Sequence, residues 1–172
     1  MYPIYSSGLV AGREEFPLWW VIGENVLYLA IWALAAALFW PVWRPAGVPV
    51  IGIGWIALVL IVQILLKKHN CSGCAYYGKR CHLGWGKLAA WLFEQDSGNP
   101  ATGQKLSLFY VLTPPVVLLT ALGYGILARP GWLYWFGLVL FVVLNGVTFP
   151  VRRSGCSRCQ MRAVCPGSAA PK

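Results

Sequence analysis

The run LWWVIGENVLYLAIWALAAALFW, Leu18–Trp40, decides the fold. A helix needs about 20 mostly apolar residues to cross a bilayer. This stretch supplies them with Glu24 as its one carboxyl, and Pro41 ends it. Three similar runs follow: Val48–Leu66, closed by Lys67 and Lys68; Leu106–Ala128, closed by Arg129 and Pro130; and Trp132–Phe149, closed by Pro150, Arg152 and Arg153. The connections Pro41–Gly47 and Arg129–Gly131 are short, which joins the first span to the second and the third to the fourth as hairpins. The expected architecture is an all-α integral membrane protein of four spans. It has one membrane domain over residues 1–172, a 67–104 loop and a 150–172 tail.

Composition agrees. Of 172 residues, 58% are hydrophobic and 11% charged, against about a quarter charged in a soluble domain. That speaks against a cytosolic enzyme, a disordered chain or a small secreted domain. The ten Trp suit interfacial belts. The first apolar run is too long, and its lead too acidic, for a cleaved signal peptide. No lipidation motif stands at either end.

An even number of spans puts both termini and the 67–104 loop on one side. That side carries Arg13, Lys67, Lys68, Lys79, Arg80, Lys87, Lys105, Arg152, Arg153, Arg158, Arg162 and Lys172; the other carries Arg44 and Arg129. Cytoplasmic loops hold the excess of Lys and Arg. The termini and loop are therefore expected in the cytoplasm, with the chain in a prokaryotic plasma membrane. Topology accounts for the net charge of +9, so no nucleic-acid partner is expected. Within the loop, Trp85, Leu88, Trp91 and Leu92 recur at helical spacing and predict a short amphipathic helix at the interface.

All six cysteines avoid the spans. Cys71, Cys74 and Cys81 form C-x2-C-x6-C in the loop; Cys156, Cys159 and Cys165 form C-x2-C-x5-C in the tail. Each triad begins Cys-Ser-x-Cys, follows a basic pair and follows the second helix of a hairpin. The pattern reads as an internal duplication, with a pseudo-twofold axis along the membrane normal that would bring the triads together. Six cysteines are too sparse for a disulfide scaffold, and cytosolic thiols stay reduced. A C-x2-C pair places two thiolates within reach of one soft metal. The six are therefore candidate metal ligands, with His69 and His82, beside the first triad, as further candidates.

The triads resemble the C-x2-C-x6-C halves of fungal binuclear zinc clusters, in which six cysteines hold two metals through two shared thiolates. The tail's C-x2-C-x5-C-P-G resembles part of the auxiliary-cluster motif of SPASM-type domains, and a Cys-Pro pair also ends the bacterial ferredoxin run. These resemblances cover the cysteines alone and imply zinc or an iron–sulfur cluster. No histidine lies in a span and no C-x-x-C-H occurs, so neither haem b nor haem c is expected.

Inside the apolar runs a polar layer of Glu24, Asn25, Gln63, Thr113 and Asn145 falls roughly 5–12 Å below the cysteine face at the helical rise. Intramembrane carboxyls are costly and mark function by default. Glu24 is the candidate proton relay, with quinone binding, partner pairing or helix–helix hydrogen bonding as its other roles. No nucleotide loop, Ser/His/Asp set or carboxylate pair names a reaction, so whether the chain is an enzyme stays open. The leading expectation is a small membrane subunit with a cytoplasmic iron–sulfur centre, passing electrons to a partner subunit or a quinone. The second is a zinc-stapled scaffold or assembly subunit. The third is a thiol–disulfide oxidoreductase. That third class keeps its reactive cysteines toward an oxidising compartment, whereas the charge count places these on the reducing side.

Overall fold

The computed structural model describes residues 8–165 and 167–170. Pro17, extended at φ −67° and ψ 149°, leads into α1 (Leu18–Phe39), which stops before Pro41. Trp40 is still helical at φ −57° and ψ −41°, but Pro41 has no amide to donate and so cannot continue the ladder. A 3₁₀ turn at Pro45–Gly47 leads to α2 (Val50–Leu66). Beyond Leu66 the coil widens into a π-turn over Lys67–Cys71, so the helix delivers its last turn directly into the first triad.

The loop holds α3 (Trp85–Leu92), at the position the apolar spacing predicts. Next comes α4 (Pro100–Ser107), capped by Asn99, whose side-chain oxygen accepts the Ala101 and Thr102 amides at 2.9 and 3.3 Å. Then α5 (Phe109–Ala128) continues through Pro114 and Pro115 and ends at left-handed Arg129. The last helix, α6 (Trp132–Ser157), passes the expected stop at Phe149, incorporates Pro150 and carries Cys156 in its final turn. Among the described residues there is no strand, only an isolated bridge between Arg13 and Cys159.

Four helical segments are long and apolar enough to cross a membrane: Leu18–Phe39, Val50–Cys71, Pro100–Ala128 and Trp132–Ser157. Their outward residues, such as Leu29, Ile61, Leu119, Leu127 and Leu133, are exposed and apolar, a surface suited to lipid. Helix α1 is central and packs on α2, α5 and α6, while α5 also packs on α6. The core is Ile31, Ala35 and Phe39 of α1, Trp55 and Val59 of α2, Val117 and Ala121 of α5, and Leu138 and Phe141 of α6. Ala35 and Ala121 are fully buried, and small side chains of this kind let helices approach where no hydrophobic force joins them.

Candidate metal centre

A second, smaller core sits at the end of the bundle where the cysteines lie. Phe16, Tyr76, Cys159 and Met161 are buried in it, with Cys74 and Cys81 packed against them. The segment before α1 ties it together. The Val10 amide donates to the Gln160 carbonyl at 3.0 Å and the Arg13 amide to Arg158 at 2.8 Å. The Phe16 amide donates to Arg80 at 2.9 Å. The Tyr76 hydroxyl donates to the Arg13 carbonyl and accepts the Gln160 amide. A Cβ at Gly12 would lie within 2.9 Å of the backbone around Cys159, so this approach needs glycine. The lead segment thus bonds to both triad-bearing segments.

The two Cys-x2-Cys pairs fold alike. Each is one turn closed by the amide of its second cysteine on the carbonyl of its first, at 3.3 Å for Cys74 on Cys71 and 3.0 Å for Cys159 on Cys156. All six cysteines are free thiols. The first triad lies within electrostatic reach of the second: Cys71 senses Cys165, and Cys74 senses Cys159 and Cys165. The Met161 amide donates to Cys159 Sγ at 3.4 Å, and the Tyr76 and Gly167 amides, each two residues on, favour the thiolate at Cys74 and Cys165 in the same sense. Burial pushes the Cys74 and Cys159 thiols up, and the amides oppose that by favouring the thiolate.

His82 connects the triads. Its Nδ1 donates to Glu24, 2.8 Å from Oε2 and 3.0 Å from Oε1, and its Nε2 is 4.0 Å from Cys156 Sγ. The ring lies edge-on to Phe16 and against Gly155, where a Cβ would come within 3.2 Å of it. Burial alone pulls this imidazole down, but the hydrogen bonds to Cys156 and Glu24 and the Glu24 charge together raise it to about 10. Glu24 is 2% exposed and also accepts from Trp20 Nε1 at 3.1 Å. Glu24 therefore does not stand apart below the cysteine face; it reaches the loop residue beside Cys81.

His69 is engaged differently. Its Nδ1 accepts the Asn99 amide at 3.0 Å, at the start of α4. A neutral ring bound that way keeps its proton on Nε2.

Asn25, Gln63 and Asn145 of the polar layer are internally bonded. Asn25 donates to the Val21 and Leu83 carbonyls at 2.7 and 2.8 Å, pinning the loop to α1. Gln63 donates to the Tyr110 hydroxyl at 2.7 Å. Asn145 bonds back to Phe141 within its own helix. Two cations lie here. Lys67, 6% exposed, donates to the Gln63 backbone and side-chain oxygens at 3.2 and 3.4 Å and sits 4.3 Å from the Trp85 ring centroid. Arg152 lies over the Tyr110 ring and donates to the Gly167 carbonyl at 2.8 Å. Among the described residues the carboxylate ion pairs are Arg80–Glu15 and His82–Glu24, so neither Lys67 nor Arg152 has one.

Among the described residues, no three His, Cys, Asp or Glu side chains converge as the shell of one ion. Sequence reasoning did not find Phe16, Tyr76 or Arg13. The signals were faint: Phe16 is one of three aromatics in the lead, and Tyr76 one of two tyrosines between Cys74 and Cys81. Comparison with protein-family models, with curated proteins and with solved structures finds no match.

Proposed function

We propose that this chain is an electron-transfer protein of the membrane, whose two cysteine triads hold a thiolate-ligated iron–sulfur centre at one end of the helix bundle. The observation that carries the reading is the set of backbone amides aimed at sulfur in both triads. A thiol is a weak acceptor and a thiolate a good one, and hydrogen bonds to the sulfurs help set a cluster's potential. Thiolates are also what soft-metal sites require. Buried Lys67 and half-buried Arg152, neither paired with a carboxylate among the described residues, would offset the negative charge of such a centre. His82 is its non-cysteine ligand. Glu24 on Nδ1 fixes the tautomer, and the metal takes the Nε2 position by displacing a proton, as metal-ligating histidines usually require. The matching Cys-x2-Cys turns suit a duplicated hairpin with both triads on the cytoplasmic face. With four of its helical segments long and apolar enough to cross a membrane, the chain would pass its electrons to partner subunits.

Anaerobic purification, with metal analysis and absorption spectroscopy, tests this. Iron with broad absorption near roughly 400 nm that bleaches on reduction is the expected result for a thiolate-ligated cluster. A colourless protein with stoichiometric zinc sinks it in favour of the zinc-stapled scaffold. The cap's own small core favours that second reading, because closed zinc sites contribute folding energy outright. Metal-free protein with thiols cycling to disulfides would leave the thiol-relay reading.

A further inference from the structure

A cavity of about 330 Å³ opens between α1, α2 and α3, beside the candidate centre. Its polar wall is Asn25, Gln63, Lys67 and Trp85; Leu60 and Leu88 are among its apolar lining. Leu60 and Leu88 are also exposed on the outer apolar surface, so a ligand enters from lipid. Asn25 is spent on the Val21 and Leu83 carbonyls, and the Trp85 indole on Asn25. Lys67 is not spent. It has three donors, Gln63 accepts from it twice, and no carboxylate among the described residues pairs with it. It also lies within electrostatic reach of Cys71 and Cys81.

We propose that this cavity binds the headgroup of a membrane quinone, with Lys67 donating to a ring carbonyl. The chemistry is selective. The ligand must dissolve in lipid, present a flat apolar ring to Trp85 and Leu88, and offer an oxygen acceptor to a buried ammonium. A quinone does all three, and the cation stabilises the charge it gains on reduction. The assignment deepens the electron-transfer reading and rests on it for the reaction. With a thiolate-ligated centre in place, the quinone would take two electrons from it, singly, and two protons from the adjacent aqueous side, and leave as hydroquinone. A soluble low-potential electron carrier re-reduces the centre. Pockets that hold small molecules begin near this volume.

The test is equilibrium binding of labelled decylubiquinone to the full chain in nanodiscs of zwitterionic lipid. Its ring is fully substituted and does not add thiols. Saturable binding at one per chain is expected, weakened at least tenfold in Lys67→Met. Leu88→Trp, which fills the cavity from α3 and leaves Lys67 in place, should weaken it as much. Trp91→Leu, at a residue 80% exposed on the same helix, should not. Partition that never saturates, or binding that survives both cavity variants, overturns the proposal. So does a tightly retained anionic phospholipid that decylubiquinone fails to displace. Metal content of the same samples separates the two readings. Saturable, Lys67-dependent binding to metal-free protein would keep the cavity and remove the electron-transfer function. A reducible cluster without binding would do the reverse.

Discussion

Glu24 and His82 lie 2.8 Å apart and 58 positions apart in the chain. The carboxyl stood out in the sequence because charge inside an apolar run is costly. Its partner did not, because the fold of the 67–104 loop, not its spacing, returns His82 to α1. The contact changes what Glu24 does: it orients an imidazole toward Cys156. Glu24→Ala should therefore weaken metal retention by about 10–100-fold, the usual cost of losing a carboxylate behind a ligating histidine. Glu24→Gln keeps an acceptor for Nδ1–H and should lose much less. Competition with a graded series of chelators would measure both. Equal retention in all three proteins would show that Glu24 does not act through His82. The cysteines were legible by type and spacing, whereas their shared surroundings depend on Phe16 and Tyr76, which no periodicity marks.

At the scale of elements, α1 and α3 lie close to their expected positions because both carry strong local patterns. α2 ends at Leu66 as expected, but its coil continues as a π-turn to Cys71, and α6 passes its expected stop, both for a physical reason. Lys67-Lys68 and Pro150 read as stops, but Lys67 turns back to bond Gln63 in its own helix, and membrane helices tolerate proline. Each helix thus runs on until it carries a cysteine, Cys71 in one case and Cys156 in the other. The docking of α3 relies on Gly86. A Cβ there would stand 1.9 Å from the Tyr76 carbonyl oxygen and 2.5 Å from that of Lys79, both backbone atoms of the first triad's loop. Gly86→Ala must displace α3 or the loop and should cost about 1–3 kcal/mol, as overpacking usually does. Gly123→Ala in α5 meets nothing within 4 Å and should be neutral or stabilising by up to about 1 kcal/mol. Thermal melts of the two variants in one detergent would show the contrast. Equal melting temperatures would mean that α3 is not seated on that backbone.

Across the whole molecule, apolarity set the number of spans, but the way the cap is held to the bundle was not readable from the sequence. Two separate hydrophobic clusters exist, one among the helices and one around Phe16, Tyr76, Cys159 and Met161. The second contains few residues and depends on the short lead segment bonding to both the loop and the tail. Small clusters with exposed backbone connections open at lower free energy than a main core. Phe16, 1% exposed, is the largest apolar side chain that the lead contributes. Phe16→Ala should remove about 3–5 kcal/mol from the cap, the range for a buried aromatic, which exceeds what so small a cluster can hold. The bundle core contains no atom of Phe16 and should stay helical. The expected outcome is an unchanged far-ultraviolet circular dichroism spectrum together with fast maleimide labelling of Cys159, which is 9% exposed in the intact protein. If both triads share one face, Cys71 and Cys156 in the variant should label from the same side of a sealed vesicle. Loss of helical signal alongside labelling would mean that the two cores form one cooperative unit, and labelling of the two cysteines from opposite sides would separate the triads.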